Sequence, residues 1–266
     1  MAIVALLYHD VVGDGPDDSG FPSASAASYK LPTASFGRHL DAVAAAAGAA
    51  VFDPATVDRA DTTSVVRTMF TFDDGGSSAL TRAAPMLEAH GWRGAFFITT
   101  DFVGTTGFLD RAQLVELHAR GHTIGSHSCT HPLRFADCSW EQMVREWHDS
   151  TARLSDMLSA PVTVASVPGG QFSPRVAAAA REAGLRVLFN SEPTTRIRRI
   201  EDCTVVGRFS IKRSTPAAVA GRLAAGHLAP RIASAVSWNA KKLAKRIGGR
   251  GYLRVREALF RKTAPG

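Results

Sequence analysis

The sequence has only three cysteines in 266 residues, Cys129, Cys138 and Cys203. An odd count with no zinc-finger spacing argues against a disulfide framework and predicts free thiols. No apolar run approaches the roughly 18 residues a membrane-spanning helix needs. No unit repeats at the period of solenoids or propellers, which excludes those architectures. The stretch from Met1 to Tyr8 is apolar but has neither a basic leader nor a small-residue cleavage site. It predicts a first strand instead of a signal peptide, and with it a cytoplasmic location. Acidic residues are almost missing from the C-terminal part: residues 217–266 hold 11 lysines and arginines against one acid, Glu257. The other 216 residues hold 20 basic and 23 acidic side chains, so the net charge of +7 belongs to the tail and not to a basic cleft.

What is present fits one barrel-sized α/β domain. The chain is 45% hydrophobic, enough for a sizeable core. Strands are predicted at residues 2–8, Val65–Phe72, Gly94–Thr99, His122–Gly125, Val162–Val167, Arg186–Asn190 and Thr204–Phe209. Helices are predicted from Ser35 to Ala47, Ser78 to His90, Arg111 to Arg120, from Ser139 onward with Gln142 completing a capping box, and from Ser173-Pro174 onward. Residues 13–34, rich in Gly, Pro, Ser and Asp, read as a long loop of the kind that forms lids or binding surfaces. Alternating strands and helices predict a parallel sheet or barrel. The residues with chemistry to offer follow strands: His9-Asp10, Asp73-Asp74, His127 with His131, and Pro168-Gly169. In parallel α/β folds such strand ends share one face, so four segments are expected to converge there.

Asp73-Asp74 can turn both carboxylates into one pocket at a strand's end, where a cation would relieve their repulsion. The same Asp-Asp-Gly-Gly run is also ordinary turn chemistry. His127 and His131 are four apart, which brings both rings to one side of a helical turn. They also read as a solvated or capping pair. Together with Asp74 they form a two-nitrogen, one-oxygen set that leaves positions for water and substrate, as catalytic metal sites do. Zinc is the expected ion; cobalt, nickel or iron would suit the same ligands.

Thr71-Phe-Asp-Asp-Gly75 and His127-Ser-x-x-His131 resemble the first two motifs of the polysaccharide deacetylases, the NodB-homology family or carbohydrate esterase family 4. Gly94-Ala-Phe-Phe-Ile98 and Gly121-His-Thr-Ile-Gly-Ser-His127 share its texture, and the likeness covers most of residues 1–215. It implies a distorted (β/α) barrel with fewer than eight strands and hydrolysis of an N-acyl amino sugar, polymeric, oligomeric or lipid-linked. It implies Asp73 as general base and Asp74, His127 and His131 as metal ligands. The family's general acid is a His after an apolar strand near the domain's C-terminal end. Leu223-Ala-Ala-Gly-His227 is a poor fit, whereas Ile3-Val-Ala-Leu-Leu-Tyr-His9-Asp10 resembles the circularly permuted branch that includes the poly-N-acetylglucosamine deacetylases. His9 is thereby the expected acid, with a core histidine as the alternative. Gly169 is expected to offer a backbone N–H to the oxyanion, with Pro168, Phe172 and Asp10 near the substrate. The third motif's Arg, which contacts the base, is absent from Ser166-Val-Pro-Gly-Gly170, and Asn190-Ser-Glu192 stands where the fourth would fall.

The remaining residues, 216–266, are expected to form a basic helical extension. Ile232, Val236, Leu243 and Ile247 fall near one helical face beside Lys241, Lys242, Lys245 and Arg246. That is either a terminal helix packed on the barrel or a peripheral contact with the inner membrane face. No nucleic-acid module is recognisable. Two other readings stay open: a catalytically impaired carbohydrate-binding homologue, and a deformylase or amidase for a small substrate. A phosphotransferase with a nucleophilic aspartate would want Asp-x-Asp and leaves both histidines idle.

Overall fold

The structure is a computed structural model that describes residues 2–13, 19–46, 50–51, 66–200, 202–240 and 242. The apolar N-terminal run forms β1 (Ala2–Tyr8). It is followed by β2 (Val11–Val12), β3 (Leu31–Pro32), β4 (Ala50–Val51), β5 (Val66–Phe72), β6 (Gly94–Ile98) and β7 (Thr123–Ser126). Next come β8 (Val164–Ser166), β9 (Val187–Phe189), β10 (Ile197–Ile200), β11 (Cys203–Val206) and β12 (Arg208–Ser210). Ten of these make one sheet in the order β10-β11-β9-β8-β7-β6-β5-β1-β12, with β4 beside β5. Every pairing in it is parallel except β10 with β11.

The expected strand Thr204–Phe209 is broken at Gly207. Its first half, β11, pairs with β9, and its second half, β12, pairs with β1. A Cβ at Gly207 would sit 2.3 Å from the Glu192 carbonyl oxygen, so glycine is what lets the run bend there. One continuous segment thus joins both edges of the ladder. Among the described residues the wall has seven positions: β1, β5, β6, β7, β8, β9 and the β11–β12 run. This is a distorted α/β barrel with fewer than eight wall strands.

Side chains alternate across this wall, as strand geometry requires. Val4, Leu6, Tyr8, Phe70, Phe72, Phe96 and Ile98 face outward into the main core under the helices. Ile3, Ala5, Met69, Phe97, Val164, Phe189 and Val206 fill the interior. The inner core stops short of the strands' C-terminal ends. There the inward series continues with polar residues, as Ile3-Ala5-Leu7-His9 on β1 and Met69-Thr71-Asp73 on β5 show.

The outer layer is helical: α1 (Ala24–Ala27), α2 (Thr33–Ala44), α3 (Ala84–Glu88), α4 (Arg111–Ala119), α5 (Trp140–Leu158), α6 (Pro174–Glu182), α7 (Ala217–Ala224) and α8 (residues 228–240). Ser139 and Ser173 cap α5 and α6 by accepting from the backbone N–H groups of Gln142 and Val176. The reciprocal capping box occurs at Asp110 and Gln113 of α4. Ala79–Ala83 is a π-helical turn ahead of α3. Residues 19–34, the described part of the expected 13–34 loop apart from residue 13, are more structured than a plain loop, since they contain α1, β3 and the start of α2. Ala220, Leu223 and Ala224 of α7 are buried in the main core, so the barrel continues through α7. Leu243 and Ile247 lie outside the described residues.

Candidate functional site

The C-terminal strand ends open into a cavity of about 1680 Å³ whose lining includes His9, Asp73, Asp74, His127 and His131. Alternation aims Asp73 inward but would send Asp74 to the outer face. Asp74 instead has φ 78° and Gly75 φ 87°, a left-handed bend that turns the second carboxylate back to the cavity. Such strain in a non-glycine residue is a mark of functional sites.

Asp73 is held by a residue the sequence reading missed. Arg208 of β12 is fully buried. Its Nη1 and Nη2 donate to Asp73 Oδ1 and Oδ2 at 2.7 and 2.8 Å. The rest of its fork is used as well. Nε donates to the Asn190 carbonyl at 3.0 Å, Nη2 to Ser166 Oγ at 2.7 Å and Nη1 to Thr71 Oγ1 at 3.4 Å. All five N–H groups of the guanidinium therefore have a partner. Burial alone would raise the Asp73 pKa, but Arg208, with His127 beside it, outweighs burial and holds the carboxyl far below its usual range. The contact to the base that the Ser166–Gly170 stretch lacks is supplied from another strand. The signal was an arginine inside the apolar run Thr204-Val-Val-Gly-Arg-Phe209, since a buried arginine demands an acid.

Asp74, His127 and His131 offer one donor atom each, all within 4.8 Å of one another. His127 Nε2 lies 3.5 Å, and His131 Nε2 3.6 Å, from Asp74 Oδ1. His127 Nδ1 is 2.8 Å from the Ser166 carbonyl oxygen, which can only accept, so Nδ1 carries the proton. The Nε2 lone pair then faces Asp74 and, at 3.8 Å, Asp73 Oδ2 with no proton between. Protonating it is no remedy, because burial lowers the His127 pKa to about 3. Burial also raises the Asp74 carboxyl to about 7. Lone pairs converging in a buried pocket fit a divalent cation, and the imidazole held through its other nitrogen is how metal-binding histidines are oriented.

The two histidines do not share a helical turn, contrary to the spacing argument. Residues 127–131 form an irregular loop with φ 67° at Ser128 and 55° at His131. Glu146 of α5 shapes it, accepting from the backbone N–H groups of Cys129 and Thr130 at 2.9 Å each and from Thr130 Oγ1 at 2.6 Å. Phe21 packs on the His131 ring from the 13–34 segment, centroids 5.4 Å apart.

His9 lines the same cavity and packs on Tyr29 in a tilted ring contact with centroids 4.7 Å apart. Its Nδ1 is buried with no hydrogen-bond partner. Gly169, at φ 65°, and Phe172 also line the cavity. Pro168 and Asp10, expected near the substrate, do not. Asp10 is buried behind the site, where its Oδ1 accepts from Ser19 Oγ at 2.6 Å and Ser78 Oγ at 2.8 Å. It ties the segment after β2 to the segment after β5. Glu192, of the stretch standing for the fourth motif, lies at the cavity edge and pairs with Arg198.

Among solved structures, IcaB from Ammonifex degensii superposes with a TM-score of 0.69 at 20% identity, covering 82% of this chain and 95% of that one. The Streptococcus pyogenes deacetylase PplD, in complex with acetate, gives 0.65 at 19% identity with the same coverage. At these identities the likeness establishes the fold. YxkH of Bacillus subtilis (strain 168), a protein that carries the polysaccharide deacetylase name, is 27% identical over 125 residues. That match takes in 47% of this chain and 44% of YxkH, so the chain spans less than half of that curated relative. The polysaccharide deacetylase family model matches residues 60–188, the stretch that carries both carboxylates and both histidines of the buried cluster. By that match, which takes in just under half of the chain, and with the barrel that goes with it, the chain resembles the polysaccharide deacetylase family.

Proposed function

We propose that the chain is a metal-dependent hydrolase that removes an N-acetyl or other N-acyl group from an amino sugar. The observation that carries this reading is the buried cluster of Asp74, His127 and His131 beside an Asp73 carboxylate locked by Arg208, all under one open cavity. The cavity exceeds the roughly 300–1,000 Å³ of small-ligand pockets, which favours a glycan or glycoconjugate over a small amide.

A divalent cation held by Asp74, His127 and His131, with zinc the first expectation, would supply Lewis acidity to the amide carbonyl and to a nearby water. Asp73 takes the proton of the attacking water. Arg208 fixes the plane of that carboxylate and keeps it ionised across the working pH range, at some loss of basicity. The Gly169 backbone N–H is the proposed donor to the developing oxyanion. His9 gives a proton to the departing nitrogen, leaving acetate or formate and a free amine. The alternative of a catalytically impaired carbohydrate-binding homologue drew on the missing third-motif Arg, and Arg208 removes that ground.

The test is metal content together with acetate release from N-acetylated oligosaccharides and from lipid- and nucleotide-linked amino sugars. Asp73→Asn is expected to retain metal and lose about 10²–10⁴ in turnover. His127→Ala is expected to lose both. Full turnover by metal-stripped His127→Ala protein would refute the assignment.

A further inference from the structure

Helix α8 is one wall of the cavity: Ala229, Ala233, Ser237 and Trp238 line it. Buried Pro230 and a 2.7 Å hydrogen bond from Arg231 to Thr195 Oγ1 hold the helix to the barrel. Leu228, Ile232 and Val236 lie off this wall, 65%, 61% and 63% exposed. Their spacing of four places them on one stripe. Leu133, 86% exposed, stands on the cavity rim. Only Val115 joins these four as an exposed large hydrophobic among the described residues, so such side chains are concentrated on α8, which walls the cavity, and on the cavity rim. The chain after this stripe is strongly cationic: residues 241–266 hold nine lysines and arginines against Glu257 alone. Lys242, at the start of that run, lines the cavity too.

We propose that this face docks on an anionic lipid bilayer, and that the acylated amino sugar reaches the cavity as a membrane-anchored conjugate. An aliphatic stripe followed in the sequence by clustered basic residues matches the two components of such a surface, acyl chains and anionic headgroups. The charge disfavours a second copy of this chain, which would carry the same net charge of +7. A free polysaccharide would call for aromatic platforms, and the stripe has none. The docking does not depend on the hydrolase reading; the substrate clause does.

The test is sedimentation of the full chain with vesicles of phosphatidylcholine alone and with about one-third phosphatidylglycerol. The wild type is expected to partition onto the anionic vesicles, less so as salt rises, and to stay in solution with the neutral ones. The double variant Ile232→Asp/Val236→Asp is expected to bind anionic vesicles about tenfold or more weakly. Both positions are exposed, so the variant should fold, which a thermal melt checks. Its acetate release from a water-soluble substrate should be unchanged. Docking is overturned if the wild type stays in solution with both vesicle types, or if variant and wild type partition alike. It is also overturned if the stripe instead supports a concentration-dependent dimer without vesicle binding. Loss of acetate release from wild type and variant alike, with vesicle binding intact, would refute the hydrolase reading and leave the docking standing.

Discussion

Arg208 concentrates several constraints in one side chain. It satisfies both oxygens of Asp73, the Ser166 hydroxyl that also donates to Asp73, and the Asn190 carbonyl, with no exposure to water. Lysine keeps the charge but not the fork. Arg208→Lys is therefore expected to cost about 1–3 kcal/mol in urea unfolding and to lower turnover about 10–100-fold while leaving metal content near that of the wild type. Arg208→Met is expected to cost more, about 3–5 kcal/mol, because it strands a buried carboxylate. Wild-type turnover in Arg208→Lys would show that the fork is not needed. At this scale the sequence was informative where chemistry is local. Asp73, Asp74, His127 and His131 announce themselves by type and by their place after strands. Arg208 did not, because its meaning depends on a partner 135 residues away. Asp10 misled for the opposite reason: a carboxylate next to His9 in sequence lies behind the site in space.

Elements decide how those residues meet. The strand ends were readable from apolar runs to within a residue or two, and that placed His9, Asp73 and His127 on one rim. The turn after β5 was readable too: Asp-Asp-Gly-Gly is turn chemistry that can bring both carboxylates into one pocket, and the left-handed bend at Asp74 does so. The irregular 127–131 loop was not, since a helical turn was inferred from the spacing and Glu146 enforces something else. The break at Gly207 was likewise hidden inside a good strand pattern. Its glycine is irreplaceable on steric grounds, since an added Cβ meets backbone at 2.3 Å and Thr194 Cγ2 at 2.5 Å. Gly207→Ala is expected to destabilise the protein by about 2–4 kcal/mol and to lower turnover by shifting Arg208, as measured by urea unfolding and kcat. A melt within about 0.5 kcal/mol of wild type would mean that the two strand halves tolerate a different bend.

The whole molecule is braced at the end opposite the site as well. Glu88 at the end of α3 accepts from Arg120 Nη2 at 2.6 Å, beyond α4, and lies 2.9 Å from His122 Nε2, before β7. The Arg120 hydrogen bonds lead in lowering the Glu88 pKa from 4.5 to about 2, against some opposing burial. A depressed carboxylate stabilises fully above its unfolded pKa and loses that contribution as pH falls through the folded one. The window here runs from about 4.5 down to about 2. With partial exposure taken into account, Glu88→Gln should cost about 1–2 kcal/mol at pH 6, and the gap to wild type should narrow by pH 3. An identical gap in urea melts at both pH values would dismiss the linkage.

The bent run at Gly207 also orders events in time. β1 is made first, yet one of its two edges has no partner until β12 has been synthesised some two hundred residues later. Until then the inner series of β1 has no closing wall, and Asp73 has no guanidinium. Contacts of such separation form late and slowly. The nascent chain therefore carries an open sheet edge until β12 is made, and the step that seals this edge is the same one that neutralises the buried carboxylate. A chain cut short of Arg208 would be left with an adhesive edge and an unpaired charge together, which makes truncated products candidates for aggregation or proteolysis and not for partial activity.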